Sequence, residues 1–159
     1  MRPSTRHDEA TSVPAVARFE RFFRVAAGLD VDKSDLKRCR EFVHQKVYGL
    51  LLRAQAAAKA NARSVIEPFD LPISKGLQER IHEFRRIDLE IELKPILEHL
   101  AAQPPLDLAY SEETEAEFPA IVGVLSVALA HAFKIVDPGV KHPHGEHWER
   151  CQRIFDLLL

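Results

Sequence analysis

The residues best suited to chemistry lie in one short run, HPHGEHW, where His142, His144 and His147 fall close together with Glu146 among them. Three imidazoles beside a carboxylate form a donor set for zinc or nickel, provided that the loop folds back on itself. Pro143 stiffens the run and sends the first two histidines apart. A polar loop ending in a helix cap accounts for the same residues, so no metal and no other cofactor is assigned. His44, His82, His99 and His131 each stand alone on helical patterns and read as core-edge or surface residues. Cys39 and Cys151 are scattered thiols rather than a CxxC pair, and in a reducing compartment they are small buried apolar groups. No nucleophile stands beside a paired base, Ser34 and Ser126 are isolated, and no glycine-rich loop would cradle a phosphate. The expectation is a protein that is not an enzyme.

A second chemistry is phosphate binding. Lys33, Lys37, Arg38 and Arg40, with Arg53 further along, offer the best basic surface, and Lys33, Lys37 and Arg40 share a helix face by their spacing. Asp32, Asp35 and Glu41 alternate with them, as on an ordinary solvated face. The net charge of −2 conceals an asymmetry: residues 1–88 hold 17 Lys/Arg against 12 Asp/Glu, and residues 89–159 hold 5 against 12. Such polarity suits either an acidic partner, nucleic acid included, or two halves that attract each other within one fold.

The elements that must position these groups are nearly all helical. A chain of 159 residues, 46% apolar and 29% charged, supports one sizeable globular core. Residues 1–14, MRPSTRHDEATSVP, lack the apolar run of a secretory signal and read as a flexible tail of a cytoplasmic protein. The longest uncharged run, Phe118 to Phe133, is too short for a bilayer span, so no membrane partner is expected. From Pro14 a helix carrying Phe19, Phe22 and Phe23 runs to Gly28. After the link LDVDKSD, a long helix keeps Leu36, Cys39, Val43, Val47, Leu50, Leu51, Ala54 and Ala58 in one apolar stripe, with Gly49 as the mark of a close helix crossing. RSVIEP leads out of it, and Leu77, Ile81 and Phe84 predict a helix over about 74–86.

The same order then repeats. A helix is expected near 89–102, interrupted by Pro95, followed by the link QPPLDLAYS with Ser111 as the N-cap of a second long helix. That helix is apolar on most sides and so belongs at the centre of the fold, with a kink or a later start at Pro119. DPGVKHPHGEH leads to a closing helix with Cys151, Ile154, Phe155 and Leu158 as its stripe, and Leu157 or Leu159 completing the core or meeting a second chain.

Medium helix, long helix and medium helix joined by tight links is the order of the histone fold, and the stretch AKANARSVIEPFD makes the likeness specific. It resembles the exit from the long helix of archaeal histones: an Ala/Lys-rich turn, then Arg63, Ile66 and Asp70 in the family's spacing. The resemblance implies a structural ion pair between Arg63 and Asp70. GLDVDKSDLK resembles the first histone link, with Val31 as its extended residue. Over residues 15–159 the chain is similar to a small family of uncharacterised bacterial proteins with two histone folds fused as an intramolecular pseudodimer. LDVDKSDLKR, VIEPFDLPISKGLQE, PPLDL, KIVDP and RIFDLLL carry that likeness. It implies an all-α fold of one domain, with a first unit over about 15–86 and a second over about 87–159.

Two functions follow as expectations. One is a non-enzymatic histone-like protein with weak or atypical DNA binding at the nucleoid, its phosphate contacts made by Lys33, Lys37, Arg38 and Arg40. The alternative is an interaction scaffold that binds a protein partner or a second copy and no DNA. Departures from the archaeal pattern favour the alternative. Asp30 stands where the family has an Arg, Ser64 and Val65 replace a basic residue and a Thr, and the second half lacks the Arg-to-Asp spacing.

Overall fold

The computed structural model describes residues 13–93, Leu97 and residues 106–159. Residues 1–12, with most of the expected tail, lie outside the described residues, as do Pro95 and His99 in the expected helix over 89–102. Helix α1 (Val13–Ala27) buries Phe19, Phe22 and Phe23, with Phe22 edge to face against Phe23 and Phe19 tilted against it. It ends at Gly28, where φ of +63° lies in the left-handed region that glycine occupies at no steric cost. Helix α2 (Lys33–Ala60) begins at a reciprocal cap. The Asp32 carboxylate accepts from the amides of Ser34 (2.8 Å) and Asp35 (3.0 Å), and Asp35 accepts back from the Asp32 amide at 3.0 Å. The eight stripe residues named above are all buried on α2.

Past Ala62, another left-handed residue (φ 57°), the chain forms strand β1 (Val65–Ile66) and a 3₁₀ turn at Pro68–Asp70. Helices α3 (Lys75–Glu79) and α4 (Ile81–Ile91) follow, then strand β2 (Ala109–Tyr110), α5 (Glu112–Val136) and α6 (Gly145–Leu158). The two short strands pair in parallel, Val65 opposite Ala109 and Ile66 opposite Tyr110. Helix α5 is the centre: it packs against α1, α2, α3, α4 and α6. By length and composition α5 as a whole could also cross a membrane, and over half of its most apolar stretch is buried inside the fold. Val122, Leu125, Val127, Leu129 and Phe133 are fully buried on it, each contributing about 1.5–3 kcal/mol.

Four expectations change. The helix expected over 74–86 breaks at Arg80 and then continues to Ile91, because Ile87 and Ile91 extend the buried face of Phe84 by further turns. It closes with Glu92 at φ 59°, while the Asp88 carboxylate accepts from the Leu93 amide at 3.0 Å. The expected boundary near 86–87 therefore falls inside α4. Pro119 does not delay α5, which runs over Glu112–Val136 from the cap residue Ser111, whose hydroxyl accepts from the Thr114 amide at 3.1 Å. On α6 the buried residues are Trp148, Cys151 and Phe155, whereas Ile154 and Leu158 turn outward and Leu157 and Leu159 do not enter the core.

The last change concerns glycine. A Cβ on Gly49 would meet nothing within 4 Å, so no close crossing occurs there. The close approach is at Gly123, where a Cβ would fall 2.1 Å from Cε2 of Phe84, a ring held in the core. Gly123→Ala is expected to cost about 1–3 kcal/mol in urea unfolding, through overpacking. Gly49→Ala is expected to stabilise by roughly 0.5–1 kcal/mol, since it removes backbone freedom from the unfolded chain without a clash. Equal effects of the two substitutions would contradict this placement of the helix contact.

Candidate nucleic-acid interface

The links lie at two ends of the molecule, and each end joins a link of the first half to one of the second. At the first end, β1 pairs with β2, and the Ser111 amide donates to the Ile66 carbonyl at 3.0 Å. The fully buried Thr114 adds its hydroxyl to the same carbonyl at 2.7 Å. Gln55 on α2 accepts from the Leu108 amide at 3.0 Å, satisfying a backbone group that pairing leaves open. At the second end the Asp30 amide donates to the Lys141 carbonyl at 2.7 Å. Buried Asp35 occupies the same place on α2, the third helical residue, as Thr114 on α5, and accepts from Trp148 Nε1 at 2.9 Å.

At the first end Arg63 and Lys59 are both paired with carboxylates. Arg63 Nη1 donates to Asp70 Oδ2 at 2.6 Å, and Nη2 donates to the other carboxylate oxygen. The Arg63 guanidinium also lies 4.7 Å from the centre of the Phe69 ring. Its hydrogen bonds hold the buried Asp70 carboxyl below the usual carboxylate range, and the Glu67 amide adds to this with a donation at 2.9 Å. Lys59 pairs with Asp107 at 3.1 Å. Ser64 is exposed and Val65 sits in the strand, so neither brings a charge to this end.

The second end differs. Asp30 faces the Arg24 guanidinium, with Nε at 3.6 Å, and the His142 imidazole, with Nε2 at 3.8 Å. Lys33, Lys37, Arg38 and Lys141 are exposed here and form no ion pair among the described residues. Arg38 lines a cleft with Glu41 on α2 and with Gly145, Trp148 and Glu149 on α6. Arg40 is different: it is half-buried, and its Nε is buried with no hydrogen-bond partner among the described residues. Lys141 is the residue that sequence patterns missed. It stands alone in a link, and only the bond to Asp30 brings it to the start of α2.

The histidine run is a structural cap. The His144 amide donates to His147 Nδ1 at 2.9 Å, and His147 Nε2–H donates to Asp137 at 3.0 Å, so both ring nitrogens of His147 are engaged. The His147 hydrogen bond holds the Asp137 carboxyl below its ordinary range. Among the described residues no group of three His, Cys, Asp or Glu side chains is arranged to hold a metal.

Residues 19–156 match the model of a family described as a domain of unknown function (DUF1931). The chain is similar to the crystal structure of a Thermus thermophilus protein, with 54% identity and a TM-score of 0.80 over 91% of this chain and 97% of that one. It is also similar to the 1.9 Å crystal structure of an Aquifex aeolicus protein, with 26% identity and a TM-score of 0.78 over 90% and 94%. An uncharacterized protein of Aquifex aeolicus (strain VF5) is 26% identical over 142 residues, 89% of this chain and 82% of that protein.

The Arg63–Asp70 geometry has a pH consequence. Because the folded state lowers the pKa of Asp70, its contribution is complete above the unfolded value of about 3.9 and is lost as pH falls through the lower folded value. Asp70→Asn is therefore expected to lower the urea midpoint at pH 7, with the gap from the native chain narrowing below about pH 4. A gap constant from pH 7 to pH 2.5 would assign the effect to the neutral side chain instead of the ion pair.

Proposed function

We propose that this chain, which belongs to the DUF1931 family, is a non-enzymatic protein of two histone-fold units joined in a pseudodimer, and that it binds duplex DNA weakly at one end. The architecture is supported by the pairing at both ends, where the link leaving one long helix meets the link entering the other. One observation carries the DNA reading: Lys33, Lys37, Arg38 and Lys141 are exposed together at the second end and form no ion pair among the described residues, although the carboxylates of Asp30 and Asp32 share that end. These side chains contact phosphates and read no sequence. The protein then acts in the cytoplasm, at the nucleoid.

The non-enzymatic part of the reading draws support from the two thiols. Burial pushes Cys39 up to about 12 and Cys151 up to about 11, far from the range of a thiolate nucleophile. A second reading, an interaction scaffold without DNA binding, is favoured by the first end, where carboxylates occupy both Arg63 and Lys59.

A labelled duplex titrated at low and moderate salt separates the two. Binding is expected at low salt, weakening by roughly 0.9 log units per phosphate contact for each tenfold rise in salt. Lys33→Glu and Lys37→Glu are each expected to weaken binding and to reduce that slope by about one. No binding at low salt would remove the DNA reading and leave the scaffold.

A further inference from the structure

An apolar groove of about 600 Å³ runs beside the C-terminal half of α5. Its floor includes Ala128 and Ala132, small residues one turn apart, and Leu77 and Phe155 form its walls. Immediately beside it stands a ridge of large apolar side chains. Ile135, Ile154 and Leu158 line the groove yet are 79, 40 and 75% exposed, and Leu157 extends the ridge at 86% exposure. A helix end normally turns such residues into its own core, and here the core face of α6 is already filled by Trp148, Cys151 and Phe155.

We propose that this patch is the contact of a homodimer, in which the α5–α6 ridge of each copy seats in the groove of the other. Three features select a second copy over another partner. Ridge and groove lie side by side on one surface, which is what a two-fold contact requires, since the same patch must serve on both copies. The exposed ridge with Leu159 amounts to on the order of 600 Å², against the ~800 Å² that each partner supplies to a standard interface. On the rim Arg80 pairs with Glu79 at 3.7 Å, and His131 is hydrogen-bonded to Glu83 at 2.9 Å. Arg80, among the described residues the one Lys or Arg lining the groove, is already paired, which disfavours an anionic membrane or an acidic peptide and leaves apolar shape as the recognition.

Sedimentation velocity of the full chain across micromolar to several hundred micromolar tests this. The expected result is a reversible shift from an 18.1 kDa species to one of twice that mass. Ile135→Glu and Leu158→Glu, made separately at exposed positions, are each expected to weaken the dimer about tenfold or more with an unchanged circular dichroism melt at low concentration. Leu89→Glu, on the equally exposed α4 surface, is expected to leave association unchanged. A monomer at every concentration would overturn the proposal, as would a dimer that neither groove substitution weakens.

Discussion

The constraint on which the molecule depends is the apolar surface of α5. A helix apolar on nearly every side is stable in water only when other elements surround it, and the rest of the chain is arranged to do so. The long helix α2 covers one side, the phenylalanines of α1 another, α3 and α4 a third and α6 a fourth. Gly123 shows how close this enclosure is. The Phe84 ring of α4 occupies the volume that any larger side chain at that position would need.

Enclosure by itself leaves register undetermined, because apolar contacts are not directional. The directional ties lie at the two ends, where backbone groups of one half bond to those of the other. Each long helix sends a polar residue from its first turn across to the opposite half: Thr114 to the Ile66 carbonyl and Asp35 to the Trp148 indole. These groups are buried, so misalignment would strand a donor or acceptor out of water, a cost of about 1–3 kcal/mol each. Lys46, nearly buried on α2, meets Asp156 on α6 and adds a third link between the halves. The two ends share this framework yet differ in charge. One closes its cations on neighbouring carboxylates, and the other keeps four of them facing solvent.

Much of this was legible in the chain. Periodicity fixed both long helices, and Asp32 and Ser111 announced their starts as cap residues. The resemblance to archaeal histones implied a pairing of Arg63 with Asp70, which the structure contains. What periodicity misjudged were contacts across the fold. Nothing local shows that Gly123 rather than Gly49 meets a neighbouring ring, nor that α4 continues through Ile91 because α5 lies alongside. Half of the stripe expected on α6 was right: Cys151 and Phe155 are inside with Trp148, whereas Ile154 and Leu158 satisfy helical spacing equally well and only the neighbours turn them outward.

The charges follow the same division. The sequence by itself determined which residues are basic, where the links fall and that the first half carries the excess. Tertiary structure decided which of those charges remain free, since a cation's availability depends on carboxylates distant in sequence. Lys59 is occupied by Asp107, 48 residues away, while Lys141 arrives beside Asp30 from more than a hundred residues along the chain. Helices are written in local spacing because their hydrogen bonds are local; a surface is assembled by packing, and no spacing along the chain encodes it.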